Sequence, residues 1–356
     1  MNANNIVDAT TRSPARVDEV LDRFFSLSTT RAATLAPAYE ALWKTLRSNT
    51  NGGKRFRPRM VMTAYEGLGG EDLAAAAHVG ASFELLHTAL IVHDDVIDRD
   101  FVRRGIPNVS GSYRDIAHTA GLSIPTAEHR GMSVAVIAGD LALTGAFRLM
   151  GLAETNSATR ARLLNILDDA VFASAAGELI DVDFSLYSGV PSVEEIVDME
   201  RLKTAVYSFE APLQAGAVLA GAPESVISAL GKFGREIGIA YQIVDDLLGV
   251  FGDEHATGKT TIGDIREGKR TTLIAYASTR PEWSAISHLV GKSSLTPAEA
   301  QIVRTELEAC GAKDFTERLA GEHADRAVAA LADGNVPQRL VDELTPIVAA
   351  VLERVR

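Results

Sequence analysis

The chain has 356 residues, 46% of them hydrophobic and 6% aromatic, with a formal charge of -12 and a pI of ≈ 5.2. That length can bury a sizeable core, while the acidic balance argues against a nucleic-acid partner and requires any grip on an anionic substrate to be built from locally gathered Lys and Arg. The one cysteine, Cys310, excludes an internal disulfide framework and fits a reducing compartment, so the chain reads as cytoplasmic.

Residues 1–15 are polar, lack the apolar core of a signal peptide and contain Ser13-Pro14; they read as a flexible tail ahead of one helical domain over 16–356. Apolar residues recur at three- and four-residue intervals, and alternating Val, Ile and Thr runs are scarce, which predicts an all-α, single-domain helical bundle. The predicted helices cover 16–26, 29–48, 56–68, 72–99, 131–152, 157–184, 192–202, 203–221, 224–250, 270–290, 297–332 with a break near Gly311, and 337–355. Turn signals separate them at Asn51-Gly52-Gly53, Gly69-Gly70, Gly189-Val190-Pro191, Gly221-Ala222-Pro223 and Gly334-Asn335. Ser192 with Glu195 three residues on reads as a capping box. Residues 101–130, with Gly105, Pro107, Gly111, Gly121 and Pro125, are expected to form the longest irregular section. The most apolar windows, Gly131 to Met150 and Ala211 to Ala222, are interrupted by Asp140 and Arg148 or are too short for a bilayer, so no stable membrane insertion is expected.

Two acidic clusters end apolar helical runs: Asp94-Asp95-x-x-Asp98 and Asp245-Asp246. On a helix Asp94 and Asp98 share a face, with Asp95 beside them, about 100° round. Like charges at that spacing repel by roughly 0.2–0.5 kcal/mol per pair. Oxygen-only donors suit Mg²⁺, which takes one or two carboxylates plus phosphate oxygens and keeps several waters. For the first cluster alone a solvated acidic face is the plain alternative, and Asp168-Asp169, without such surroundings, reads as a surface pair.

Cations gather near both clusters. Lys54, Arg55 and Arg57 fall at a turn into a helix, where free backbone N–H groups also favour anions. Arg103 and Arg104 follow the first cluster, and an arginine fork binds phosphate oxygens through two bonds at once. Lys203, Lys259 and Lys269-Arg270 lie around the second. Each alone would read as a surface charge, and His87, on its apolar helix, as a core histidine; the joint pattern points to diphosphate.

The blocks GGKRFRP at 52–58, ELLHTALIVHDDVIDRD at 84–100, RRGIP at 103–107, KT at 203–204, and YQIVDDLLGVFGD at 241–253 with its TGK and REGKRT tail reaching 271 carry that pattern in order. Over roughly residues 50–275 the chain resembles the trans-prenyl diphosphate synthases, the polyprenyl synthetase family, and among them the geranylgeranyl diphosphate synthases. The resemblance implies a helical bundle of the isoprenoid synthase type with a central apolar cavity, usually a homodimer. It also implies up to three Mg²⁺ ions held by Asp94, Asp95, Asp98 and Asp245, with Asp246 completing the second motif. It assigns Lys54, Arg57, His87 and Arg104 to isopentenyl diphosphate, and Arg103, Lys203, Lys259 and Lys269 to the allylic diphosphate. Thr204 and Gln242 follow as further substrate contacts.

Two departures from the family pattern stand out. Where the second motif is often Asp-Asp-x-x-Asp, Gly249 takes the fifth position, with the next carboxylate at Asp253. Where Gly-Gln is common, the chain has Gly177-Glu178, followed by Asp181.

The reaction so implied ionises an allylic diphosphate, adds the double bond of isopentenyl diphosphate to the cation and loses a proton to the departing diphosphate. Lys203 and the aspartates act by charge, and no protein nucleophile is assigned. The chain-length residues implied are Ala89 and Leu90, five and four positions before Asp94, with Leu86 and Phe83 deeper on the same helix. A small residue at 89 leaves the tunnel open beyond fifteen carbons, so geranylgeranyl diphosphate is the expected product. A noncatalytic partner subunit, suggested by Gly249 and Glu178, and a terpene cyclase are the competing readings. The cation-rich blocks at 52–58 and 103–105 speak against both.

Overall fold

The computed structural model describes residues 13–51, 55–103, 105–187, 189–252 and 261–355. Among these the regular structure is helical, apart from one two-residue antiparallel ladder. The elements are α1 (Ser13–Ala33), α2 (Pro37–Thr50), α3 (Phe56–Gly67), α4 (Leu73–Ile97), β1 (Val102–Arg103), β2 (Ile106–Pro107), α5 (Val109–Thr119), α6 (Ile124–Leu152), α7 (Ser157–Leu186) and α8 (Val193–Glu200). A π-helix (Arg201–Glu210) follows, then α9 (Ala211–Leu219), α10 (Glu224–Phe251), α11 (Gly263–Glu267), α12 (Thr272–Ser278), α13 (Trp283–Ile286), α14 (Pro297–Ala309), α15 (Ala312–Asp333), α16 (Gln338–Leu352) and a 3₁₀ turn, Glu353–Val355.

The all-α expectation holds, and several stretches differ in detail. The break expected at 27–28 is absent, since α1 runs unbroken from Ser13, inside the expected tail, to Ala33, and the chain turns instead ahead of Pro37, in the first turn of α2. The supposed irregular section 101–130 folds instead as the β1–β2 hairpin and two helices. Its Gly and Pro residues were weighed as breakers, yet Asn108 caps α5 by accepting from the Gly111 N–H, and Pro125 occupies the first turn of α6, where a missing N–H costs nothing. The single helix expected over 270–290 is two short ones, because Pro281 cannot continue a helix. The break expected between 202 and 203 is absent; α8 passes directly into the π-helix and α9. The Ser192–Glu195 capping box is present, with both reciprocal hydrogen bonds formed. The expected break at Gly311 is a left-handed residue with φ 76°.

Contacts group the chain into two compact units. The described part of one runs to Leu167 and adds Ala215–Gly221; the other comprises Asp168–Gln214 and the residues from Ala222 onward. In the former, α4 is the central helix, packed against α6, α3 and α1. Phe83, Leu85, Leu86 and Ala89 are all buried there, and the Ser82 hydroxyl, itself buried, donates to the Ala146 carbonyl of α6 at 2.8 Å. In the latter, α10 is central, packed on α15 and the π-helix, and Leu247, Val250, Ile265, Leu273, Leu289 and Leu307 form a core at its C-terminal end. Both acidic clusters end these central helices.

By length and composition alone α4 and α6 could each cross a bilayer. The apolar stretch of α4, which sequence inspection passed over, is 78% buried inside the protein, so its hydropathy reflects a core position. The corresponding stretch of α6 is 44% buried, leaving Val136 and Ile137 exposed.

Candidate active site

The last turns of α4 present the first cluster. Asp94 is half-buried, Asp95 is 3% exposed and Asp98 lies at the surface as the C-cap. Asp98 N–H closes the helix on the Asp94 carbonyl at 2.9 Å, and Arg99, with a left-handed φ of 58°, turns the chain into the hairpin. That turn brings Arg103 back over the helix it has just left. Its Nε donates to Asp95 Oδ1 at 2.8 Å and its Nη2 to Asp94 Oδ2 at 3.2 Å. Burial pushes the Asp95 carboxyl up to about 6, against the opposing pull of the Arg103 guanidinium. One step earlier, His93 fits against α6, with Nε2 3.5 Å from Asp140, the residue that interrupts that apolar helix. Asp95 is therefore held beneath Arg103, Asp94 is more open but shares the same guanidinium, and Asp98 lies at the surface.

Of the expected tunnel residues, Phe83, Leu86 and Ala89 are buried in α4 and Leu90 is half-buried. His87 is half-buried on the same helix, and Arg57 half-buried in the first turn of α3. The three-cation grip expected at 54–57 loses one member. Arg55, in a left-handed conformation ahead of α3, donates to Asp18 Oδ1, the Thr50 carbonyl and Glu84 Oε1, each at 2.8 Å. It ties α1, α2 and α4 together; Glu84, 4% exposed, needs such a counter-charge. Lys54, Arg104, Lys259 and Asp253 lie outside the described residues.

The second cluster sits near the end of α10. Asp246 is buried and accepts from Lys269 Nζ at 2.8 Å and Gln242 Nε2 at 3.0 Å. Burial raises the Asp246 carboxyl, with Lys269 opposing. Burial alone would lower the Lys269 ammonium, but Asp246, Asp264 and Asp245 together hold it above its ordinary range. Asp245, more open, accepts from Arg354 Nη2 at 2.9 Å.

Two carboxylates here, Asp264 and Glu200, were not expected from the sequence. Gly249 is glycine for a reason in three dimensions: a Cβ there would lie 1.9 Å from Asp264 Oδ2. The carboxylate missing from the fifth motif position is replaced, at that spot, by one from α11. Glu200, 2% exposed, lies close enough for Asp246 to influence it, and burial followed by the Asp246 charge raises it well above the usual carboxylate range. Burial, the Asp246 charge and a side-chain hydrogen bond shared with Asp246 all disfavour the ionised form of Glu200. Glu178 explains the second departure. A Cβ on Gly177 would meet the Lys203 nitrogen at 2.2 Å, and this close approach lets Lys203 Nζ reach Asp181 at 2.6 Å and Glu178 at 3.1 Å. Thr204 follows on the π-helix, half-buried. A warning sign existed in the sequence for Asp264, since a glycine in an acidic motif asks what fills its space; none existed for Glu200.

Carboxylate-only donors, Asp94 and Asp98 at the end of α4 among them, fit a hard cation such as Mg²⁺, which needs only one or two of them beside water and phosphate oxygens. Among the described residues no three His, Cys, Asp or Glu side chains are already gathered round one point.

The family model for polyprenyl synthetases matches residues 39–306. A geranylgeranyl diphosphate synthase of Sulfolobus acidocaldarius is 36% identical over 227 residues, a stretch spanning 63% of each chain. A geranylfarnesyl diphosphate synthase of Aeropyrum pernix is 34% identical over 78% of this chain and 82% of its own. Among solved structures, a geranylgeranyl pyrophosphate synthase from Corynebacterium glutamicum, crystallised with isoprenyl diphosphate and magnesium, superposes with a TM-score of 0.89 at 30% identity, covering 96% of this chain and 99% of that one.

Proposed function

This chain belongs to the polyprenyl synthetase family, the trans-prenyl diphosphate synthases, and from that membership we propose that it condenses isopentenyl diphosphate with an allylic diphosphate to give geranylgeranyl diphosphate. The observation that carries the proposal is the carboxylate cluster Asp94, Asp95 and Asp98 at the end of α4, with Arg103 spanning Asp94 and the buried Asp95. The Corynebacterium relative was solved with magnesium and isoprenyl diphosphate, the ligand classes this reading requires.

Magnesium at the aspartates would supply the charge that stabilises the departing diphosphate. The remaining work falls to the chain's own groups. Lys203 and Lys269 are already charged and held by carboxylates, so they can turn toward phosphate oxygens without first acquiring a proton. Arg103 spans Asp94 and Asp95 and has the fork geometry that also suits a diphosphate. His87, Arg57 and Lys54 are assigned to isopentenyl diphosphate, with Arg104. Lys259 is assigned to the allylic diphosphate with Arg103, Lys203 and Lys269, and Thr204 and Gln242 are assigned as further substrate contacts. No nucleophile is required.

Chain length rests on Ala89, buried and small, ahead of Leu86 and Phe83; the Sulfolobus relative is named for the same product and the Aeropyrum relative for the next longer one. The exposed Val136 and Ile137 on the otherwise apolar α6 support a homodimer formed through that helix. The reaction would take place in the cytoplasm.

Purified protein incubated with Mg²⁺, labelled isopentenyl diphosphate and each of the dimethylallyl, geranyl and farnesyl starters should yield a C20 product by reverse-phase chromatography. No elongated product with any starter would overturn the proposal in favour of a noncatalytic partner subunit.

A further inference from the structure

The 3₁₀ turn Glu353–Val355 reaches into the second cluster. Arg354 Nη2 donates to Asp245 Oδ1 at 2.9 Å. Its guanidinium lies 4.6 Å from the centre of the Tyr241 ring, one helical turn before Asp245 on α10, and its side chain is 27% exposed. Nη1 is buried, and among the described residues no acceptor reaches it. Arg354 lies beyond the residues matched by the family model, and no step of the proposed reaction uses it.

We propose that Arg354 is a latch on Asp245: it positions that carboxylate and gives it up to a divalent cation. The inference rests on the reading of Asp245 as a cation ligand. A carboxylate oxygen that accepts from a guanidinium has the same lone pairs engaged that a hard cation needs, so the two compete for Asp245. Tyr241 gives the planar guanidinium a platform, which fixes the arm and orients the carboxylate. The buried, unpartnered Nη1 works the other way. An unmet buried donor costs free energy, so the closed arrangement is shallow and able to open. Asp246 contrasts with it: two donors, Lys269 and Gln242, hold that buried carboxylate. When Arg354 leaves, Glu353–Val355 loses its side-chain anchor, so cation binding at Asp245 loosens this turn.

The test uses Mn²⁺ alone as probe, titrated into the full chain and followed by electron paramagnetic resonance, together with hydrogen exchange of a peptide covering 353–355. In the wild type, Mn²⁺ should raise exchange in that peptide. Arg354→Ala should tighten Mn²⁺ binding about fivefold, the size of a partly exposed ion pair, and abolish the exchange response. Tyr241→Leu removes the platform without altering charge and should also tighten binding; circular dichroism checks that it is folded. Tightening in Arg354→Ala but not in Tyr241→Leu, with exchange unmoved by Mn²⁺, would mean that Arg354 acts only as a charge at a distance, and the latch falls. Affinity unchanged in both variants overturns it equally. Asp245→Asn separates the two readings: if it leaves Mn²⁺ stoichiometry unchanged, the assignment of Asp245 as a ligand fails first.

Discussion

The two acidic clusters solve the same electrostatic problem by opposite routes. Asp94 and Asp95 are balanced by Arg103, a few residues on and delivered by a tight hairpin. Asp245 and Asp246 are balanced by Lys269, in the loop between α11 and α12, and by Arg354, more than a hundred residues downstream. In each cluster one aspartate is buried under its cation and the other is more open, so burial is divided the same way despite the different wiring. The difference teaches that a charge pattern can be reproduced by local turn chemistry or by tertiary packing, and only the former leaves a mark in neighbouring residues.

If the clusters are equal in use, Asp94→Asn and Asp245→Asn should each lower the rate of isopentenyl incorporation by about 10²–10³, the usual loss for one preorganised charge at a developing anion. A near-normal rate for either variant would break the equivalence. The first cluster should further betray itself through pH. The folded Asp95 carboxyl keeps its proton up to about pH 6, whereas the unfolded one releases it near 3.8. Over that window the folded chain binds more protons, so its stability falls as pH rises, by about 3 kcal/mol in total relative to Asp95→Asn. Urea unfolding of both proteins from pH 4 to 7 measures the slope; parallel curves would show that burial does not disfavour the Asp95 charge. At the second cluster, Gly249→Asp would restore the common family motif in sequence while colliding with Asp264 in space. A loss of about 1–3 kcal/mol is expected from the overpacking, with recovery in the Gly249→Asp, Asp264→Gly double variant. Thermal denaturation that finds the single variant as stable as wild type would remove Asp264 from the role given to it.

How much of this could be read from the chain followed the same divide. The central helices were legible because their apolar periodicity is long and uninterrupted, and the first cluster because helix spacing alone places Asp94 and Asp98 together. The hairpin and α5 were not, since Gly111 and Pro125 look alike whether they break a helix or begin one. Arg55 illustrates the limit for cations. It stands between two residues assigned to phosphate, yet its partners, Asp18 and Glu84, belong to helices whose packing the sequence does not announce. Glu200 and Arg354 join the second cluster only through tertiary packing.

The wide winding of Arg201–Glu210 makes chain length in this stretch an adjustable quantity. Hydrogen bonds reaching five residues back use more residues per unit of rise than those reaching four. Deleting a single residue downstream of Lys203 would let the coil relax to ordinary α pitch without shortening the rod appreciably. Side chains on either side would then stand in a different angular relation about the axis. The surplus residue thus acts as a phase shifter, setting the angle at which Lys203 and Thr204 are aimed relative to everything that follows them.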